Sequence, residues 1–201
     1  MDNTFQDFKR ESRVSAKYNK PNIFKEEGVD HINISSQSKL KLGRILDPSY
    51  CCNIEYPHIG TFKSALALGY WLRSKDLDDK IRKLAGQKLK RYVAEHNLYN
   101  KRIVNYTAII ANAVWIQIKG RQDVLDYIKK LDPSLTILSY YTHKSSGIRI
   151  TTNYAPMVVS ISSEIIKAVK EDREPNFVQF TTDSNVGMDF LEPLLTKKLK
   201  K

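Results

Sequence analysis

The sequence predicts an α+β fold, mainly helical, organised as a single domain around one small β-sheet. Three observations predict it. Segments between residues 62 and 131 carry apolar side chains at helical spacing. His31–Ser35 alternates polar and apolar residues, and two further apolar segments flank a hairpin turn at Lys144-Ser145-Ser146-Gly147. Across the 201 residues, 41% are hydrophobic and 27% charged, ordinary globular usage spread evenly enough to imply one core. The expected organisation is a polar arm over residues 1–30, one domain over 31–195 and a basic tail over 196–201.

The arm is polar, mixed in charge, and carries the turn signal Asn19-Lys20-Pro21-Asn22. His31-Ile32-Asn33-Ile34-Ser35 then reads as a strand with one buried face. A short helix over Ser38–Leu46 should stop at Asp47-Pro48, because the residue before a proline is pushed out of helical geometry. Cys51–Gly60, with Pro57 and Gly60, reads as a loop. Thr61 is placed to cap a helix from Phe62 to Ser74. A second helix is expected over Asp76–Lys90, with Leu77, Ile81, Leu84 and Leu89 inward and its lysines and arginines outward.

Ile103–Lys119 is apolar nearly all round, the pattern of a central buried helix. Asp123–Leu131 continues as helix with Val124, Leu125 and Ile128 on one side, ending at Asp132-Pro133. Strands follow over 135–142 and 147–152. Met157–Lys170 should open as strand and close as helix, before a break at Asp172–Pro175.

Several function classes are excluded on this reading. The longest apolar run, Thr107–Ile118, is shorter than the roughly 20 residues of a membrane span and is interrupted by Asn112 and Gln117. Met1–Arg10 carries Asp2, Asp7, Lys9 and Arg10 instead of the apolar stretch of a secretory signal, so a cytoplasmic protein without a membrane partner is expected. Cys51 and Cys52 are the only cysteines, and adjacent positions suit a disulfide framework poorly. His31, His58, His96 and His143 show no zinc-ligand spacing, so neither metal nor cofactor is expected. No serine sits in a nucleophile elbow, and no glycine loop of the phosphate-cradling type occurs.

The net charge of +11 and sequence pI near 9.5 point to an anionic partner, either nucleic acid or a phosphorylated small molecule. Candidate nucleic-acid contacts are Lys80, Arg82, Lys83, Lys88, Lys90 and Arg91, together with Lys197, Lys198, Lys200 and Lys201 of the tail. The ordinary role of such a tail is a solvated end that aids solubility.

Wound at 3.6 residues per turn, Thr61–Arg73 has two stripes. Ala65, Leu68, Gly69 and Leu72 suit a core. Phe62, Leu66, Tyr70 and Arg73 form the neighbouring stripe and set an aromatic hydroxyl beside a guanidinium, a pair able to hold a phosphate or stack on a base. The ordinary alternative is a buried aromatic with a surface arginine.

This helix, followed by Ile81-Arg82-Lys83-Leu84-Ala85-Gly86-Gln87-Lys88-Leu89-Lys90 and the buried run Ala108–Ile118, resembles the NADAR family, also called YbiA-like, and its phage-type members above all. The resemblance extends through Arg121-Gln122-Asp123-Val124-Leu125 and faintly through Leu135–Tyr141, covering about Leu42–Thr142. It implies a fold built for N-glycosidase chemistry on an ADP-ribose-like substrate or a ribosyl phosphate of the riboflavin pathway. In such chemistry a carboxylate at the start of the helix stabilises the ribosyl cation or activates water, and a downstream cation holds phosphate.

The family pattern of serine, an apolar residue and glutamate is met here by Ser64-Ala65-Leu66, with leucine in the place of the acid. Arg73 stands seven residues after Leu66, where the family usually has lysine, and Tyr70 lies between. The resemblance therefore implies ligand contact by Tyr70 and Arg73 and no catalytic residue, since leucine neither moves a proton nor offsets a cation. Glu55, Asp47 and Asp189 are the candidates for a relocated carboxylate. Three readings follow: a catalytically degenerate family member, of phage origin, that binds a phosphorylated nucleotide; a basic nucleic-acid-binding or nucleoprotein component that uses the fold as scaffold; and an active N-glycosidase with its carboxylate moved.

Overall fold

A computed structural model describes residues 27–56, 59–74, 77–96, 103, 105–143, 149–152 and 154–181. The arm up to residue 26, His58, Lys144–Gly147, Asp189 and the basic tail lie outside them. The structure is mixed α and β, with about half of the described residues helical. In chain order the elements are β1 (His31–Asn33), α1 (Lys41–Leu46), β2 (Ile54–Tyr56), β3 (Gly60–Phe62), α2 (Ala65–Arg73), α3 (Asp79–Arg82), α4 (Gly86–Glu95), α5 (Tyr106–Lys119), α6 (Gln122–Lys129), β4 (Thr136–Leu138), β5 (Tyr141–Thr142), β6 (Arg149–Ile150) and α7 (Ala155–Lys170). A 3₁₀ turn spans Val178–Phe180. Among the described residues, no helix is long and apolar enough to cross a membrane.

The strands form three two-stranded sheets, and contacts gather the chain into two compact units, each built from separate stretches of sequence. One comprises the described residues up to Asp47 with Arg121–Arg173. The other comprises Pro48–Gly120 with the described residues from Glu174 on.

In the first unit β1 and β4 run parallel, with His31 opposite Thr136 and Asn33 opposite Leu138. All three β1 residues are buried, which corrects the expectation of one buried face. Ile32 supplies the apolar side, and Tyr140 covers the polar side by bonding to both His31 and Asn33. α1 starts at Lys41 instead of Ser38, because Ser38 closes a turn onto Ser35 and accepts from the Leu40 N–H. Gly43 lets α1 approach β1: a Cβ there would collide with the Asn33 carbonyl and the Ser38 hydroxyl.

The stretch 135–142 is two strands, not one. It breaks at Ser139-Tyr140, where the Tyr140 N–H leaves the ladder and donates to Asn33 Oδ1 at 2.9 Å. β5 and β6 pair antiparallel on either side of the expected turn. α7 is helical from Ala155, with Pro156 in its first turn, so the expected opening strand at Met157 is corrected. Val158, Ile161, Ile165 and Val169 are buried at helical spacing, and that outweighs the β-branched pair Val158-Val159.

In the second unit, Cys51–Gly60 is not simply a loop. Ile54–Tyr56 pairs antiparallel with Gly60–Phe62, and Gly60 takes a left-handed φ of +94° where the hairpin closes. Thr61 therefore lies in a strand, and the cap of α2 is Ser64, whose hydroxyl accepts from the Ala67 N–H at 3.1 Å. The expected helix over Asp76–Lys90 is interrupted. α3 ends at Arg82, and Gly86, with φ of +55°, opens α4 in a geometry that prevents one helix running through. Ile81 and Leu89 are buried as expected, whereas Leu77 and Leu84 are only half-buried. α5 is buried on most sides and packs across α2.

Candidate functional site

The stripe singled out in the sequence starts from the Ser64 cap. α2 lets Leu66, Tyr70 and Arg73 share one face at i, i+4 and i+7. All three are covered, at 8%, 3% and 5% exposure. Phe62 does not continue the stripe, because it belongs to β3 and meets the edge of Trp71 at 5.4 Å. Every residue of α2 is buried, so the helix has no solvent face, and Arg73 is not a surface arginine.

Arg73 stacks on a residue that the sequence did not single out. Its guanidinium lies 3.6 Å from the centre of the Tyr106 ring at the start of α5. A desolvated cation–π pair of this kind is worth about 2 kcal/mol. The Tyr106 hydroxyl is itself buried and pressed against Gly69, where a Cβ would come within 2.7 Å of it. Burial raises the Tyr106 pKa, and the Arg73 charge partly opposes the rise. The available signal was Gly69 alone: a glycine inside a bulky apolar helix marks close approach by another element, without saying which.

Of the candidate carboxylates, Asp189 lies outside the described residues. Glu55 is exposed in the middle of β2 and pairs across the hairpin with Thr61. Asp47 caps the end of α1, its N–H donating to the Arg44 carbonyl. Among the described residues, no group of three or more histidines, cysteines, aspartates and glutamates is placed to hold a metal ion.

The predicted cationic surface divides in two. Lys80, Lys83, Lys88, Lys90 and Arg91 are exposed on and between α3 and α4, whose buried residues are Ile81, Leu89 and Val93. Tyr92 lies among them, with the Lys80 ammonium 5.6 Å from its ring centre and His96 stacked on it at 4.0 Å. Its hydroxyl donates to Asp78 at 2.6 Å, and this bond is the main cause of a raised Tyr92 pKa. Arg82 does not join the exposed group. Its side chain is 24% exposed, Nη2 donates to the Ile59 carbonyl, Nη1 reaches Asp79 at 3.3 Å, and the guanidinium covers Phe62 at 4.8 Å and Trp71 at 5.4 Å. Arg82 thus ties the β2–β3 hairpin to α2 and α3. Comparison with protein-family models, with curated proteins and with solved structures gives no match.

Proposed function

We propose that the chain is a NADAR-like protein that binds a phosphorylated, ADP-ribose-like ligand in the cytoplasm without hydrolysing it. The observation that supports this is the face of α2 on which Leu66, Tyr70 and Arg73 align, with Arg73 fixed on the Tyr106 ring. A guanidinium already held in place loses little side-chain freedom when it meets a phosphate, and its planar fork suits two oxygens at once. Leu66 offers no acid, base or counter-charge to a ribosyl cation. Because Arg73 is 5% exposed, a ligand reaches it only after what covers it moves, so association is slower than that of a small ligand meeting an open site.

Calorimetry with ADP-ribose tests the binding. Arg73→Ala weakens it by about tenfold or more, as expected for a lost charge-assisted contact, and Leu66→Ala weakens it less. Absence of binding to the wild-type chain overturns the ligand assignment. Release of a base or amine from ADP-ribosylated substrates at an enzyme-like rate of about 1–10³ s⁻¹ overturns the non-hydrolytic part.

A second reading, nucleic-acid binding, is favoured by the exposed cations Lys80, Lys83, Lys88, Lys90 and Arg91 around the stacked Tyr92 and His96. Phosphate-backbone contacts release counterions, so affinity for DNA or RNA falls steeply with salt, whereas affinity for one small ligand falls much less. No binding to either polymer at low salt removes this reading.

A further inference from the structure

The first unit contains a chain of three side chains that the ligand site does not use. His31 is fully buried on β1. Its Nδ1 lies 2.6 Å from Asp30 Oδ1, and its Nε2 lies 2.7 Å from the Tyr140 hydroxyl. A carboxylate only accepts, so the Nδ1 position carries the proton. In the neutral ring Nε2 is then an acceptor, and the phenol donates to it. The order is that of a nucleophile, its base and the group that orients the base.

The backbone holds this order in place. Tyr140 follows β4, and its N–H is fixed by Asn33 Oδ1 at 2.9 Å, so the ring turns back over the face of β1 that carries both His31 and Asn33. Ser139 Oγ donates to the Ile34 carbonyl at 3.0 Å and Gln37 accepts from the Thr142 N–H at 2.8 Å, which pins the segment on both sides of Tyr140. The tyrosine is half-buried, whereas the histidine behind it is sealed from water.

We propose that Tyr140 is a base-assisted nucleophile of a second site, directed at electrophilic phosphorus such as a phosphate ester. The Tyr140 oxygen bonds to phosphorus, its proton passes to His31 Nε2, and the bond from phosphorus to the leaving oxygen breaks. The leaving alkoxide takes the proton back from His31, so charge and atoms balance. Asp30 acts as a positioning residue that keeps His31 in the accepting tautomer.

The test uses the full chain and diisopropyl fluorophosphate, whose phosphorus accepts the phenol oxygen as fluoride leaves with the proton. Adducts are mapped by peptide mass spectrometry over a time course. Tyr140 is expected to react at least tenfold faster than the exposed Tyr127 at one fixed near-neutral pH. His31→Gln abolishes the preference. Because His31 is buried and that variant can fail to fold, Asp30→Asn serves as the second. It leaves the ring in place but lets the tautomer reverse, slowing Tyr140 labelling by about 10²-fold while Tyr127 labelling is unchanged, and Asp30→Glu restores part of the rate. Labelling of Tyr140 no faster than Tyr127, or labelling unchanged in folded Asp30→Asn, overturns the proposal.

Discussion

Gly69→Ala puts a methyl group where α2 and α5 touch. Built on the present backbone, the new Cβ lies 2.7 Å from both Ile110 Cδ1 and Tyr106 Oη, and 2.9 Å from Tyr106 Cε2. The Ile110 methyl ends a side chain and can rotate away. The Tyr106 ring carries the Arg73 guanidinium 3.6 Å from its centre and yields less easily. Forcing an extra carbon into a packed interior costs about 1–3 kcal/mol. Replacing glycine by alanine inside a helix returns about 1 kcal/mol. The expected net effect is therefore a loss of about 1 kcal/mol, or about 2–4 °C in Tm for a chain of this length.

The assay separates the two clashes. Tyr106→Phe removes the hydroxyl whose oxygen is buried against Gly69, so Gly69→Ala should cost less in a Tyr106→Phe background than in the wild type. The coupling in a double-mutant cycle should reach about 0.5 kcal/mol or more. Both tryptophans of the chain, Trp71 in α2 and Trp115 in α5, lie in the same compact unit as the seam. Urea unfolding followed by tryptophan fluorescence therefore reports on this unit. A Gly69→Ala variant more stable than wild type, or a coupling energy of zero, refutes the close approach of α5 on which the Arg73 site depends.

Three further outcomes follow from the same geometry. Ser64→Ala removes the cap of α2 and lowers stability by about 1 kcal/mol, whereas Thr61→Ala, exposed in β3, stays within about 0.5 kcal/mol; equal effects in urea midpoints would contradict the assigned helix start. Arg82→Ala loses charged bonds to the hairpin carbonyls and its packing on Phe62 and Trp71, at a cost of about 1.5–3 kcal/mol, and Arg82→Lys does not restore it because an ammonium lacks the planar fork. Burial raises the pKa of Tyr56 and of Tyr106 above the ordinary value of 10.0, so their contribution to stability is intact below about pH 10 and declines as pH climbs toward the native values; tyrosinate absorbance from these two should appear together with unfolding, and its appearance in the folded chain would exclude the burial.

Helices were legible in the sequence where several turns of apolar spacing accumulate or a proline ends them. α1 stops before Pro48, α5 is apolar nearly all round, and α6 places Val124 and Ile128 inward. Short strands were harder, because two or three residues carry almost no period: Ile54–Tyr56 alternates once and was overshadowed by Pro57 and Gly60. The break between β4 and β5 depends on Asn33, more than a hundred residues earlier in the chain, capturing the Tyr140 N–H. No local pattern contains that bond. The interruption before α4 depends on the left-handed φ of Gly86, which sequence permits without requiring.

The candidate site shows the same division. Spacing alone aligned Leu66, Tyr70 and Arg73 on one face, because that follows from helix geometry. Whether the face is wet or dry follows from what packs against it, and here all three side chains are buried, with Arg73 lying on the Tyr106 ring of α5. A stripe read from one helix therefore identifies which side chains share a face and says nothing of what reaches them. For a buried guanidinium, the ring that fixes the cation in place also limits access to it. Tyr106→Ala should accordingly speed ligand association at Arg73 while weakening the equilibrium affinity, since it opens the cover and also removes the ring that holds the guanidinium in place. Stopped-flow measurement with ADP-ribose would check this, and a slower association rate in Tyr106→Ala than in the wild type would show that Tyr106 does not guard the site.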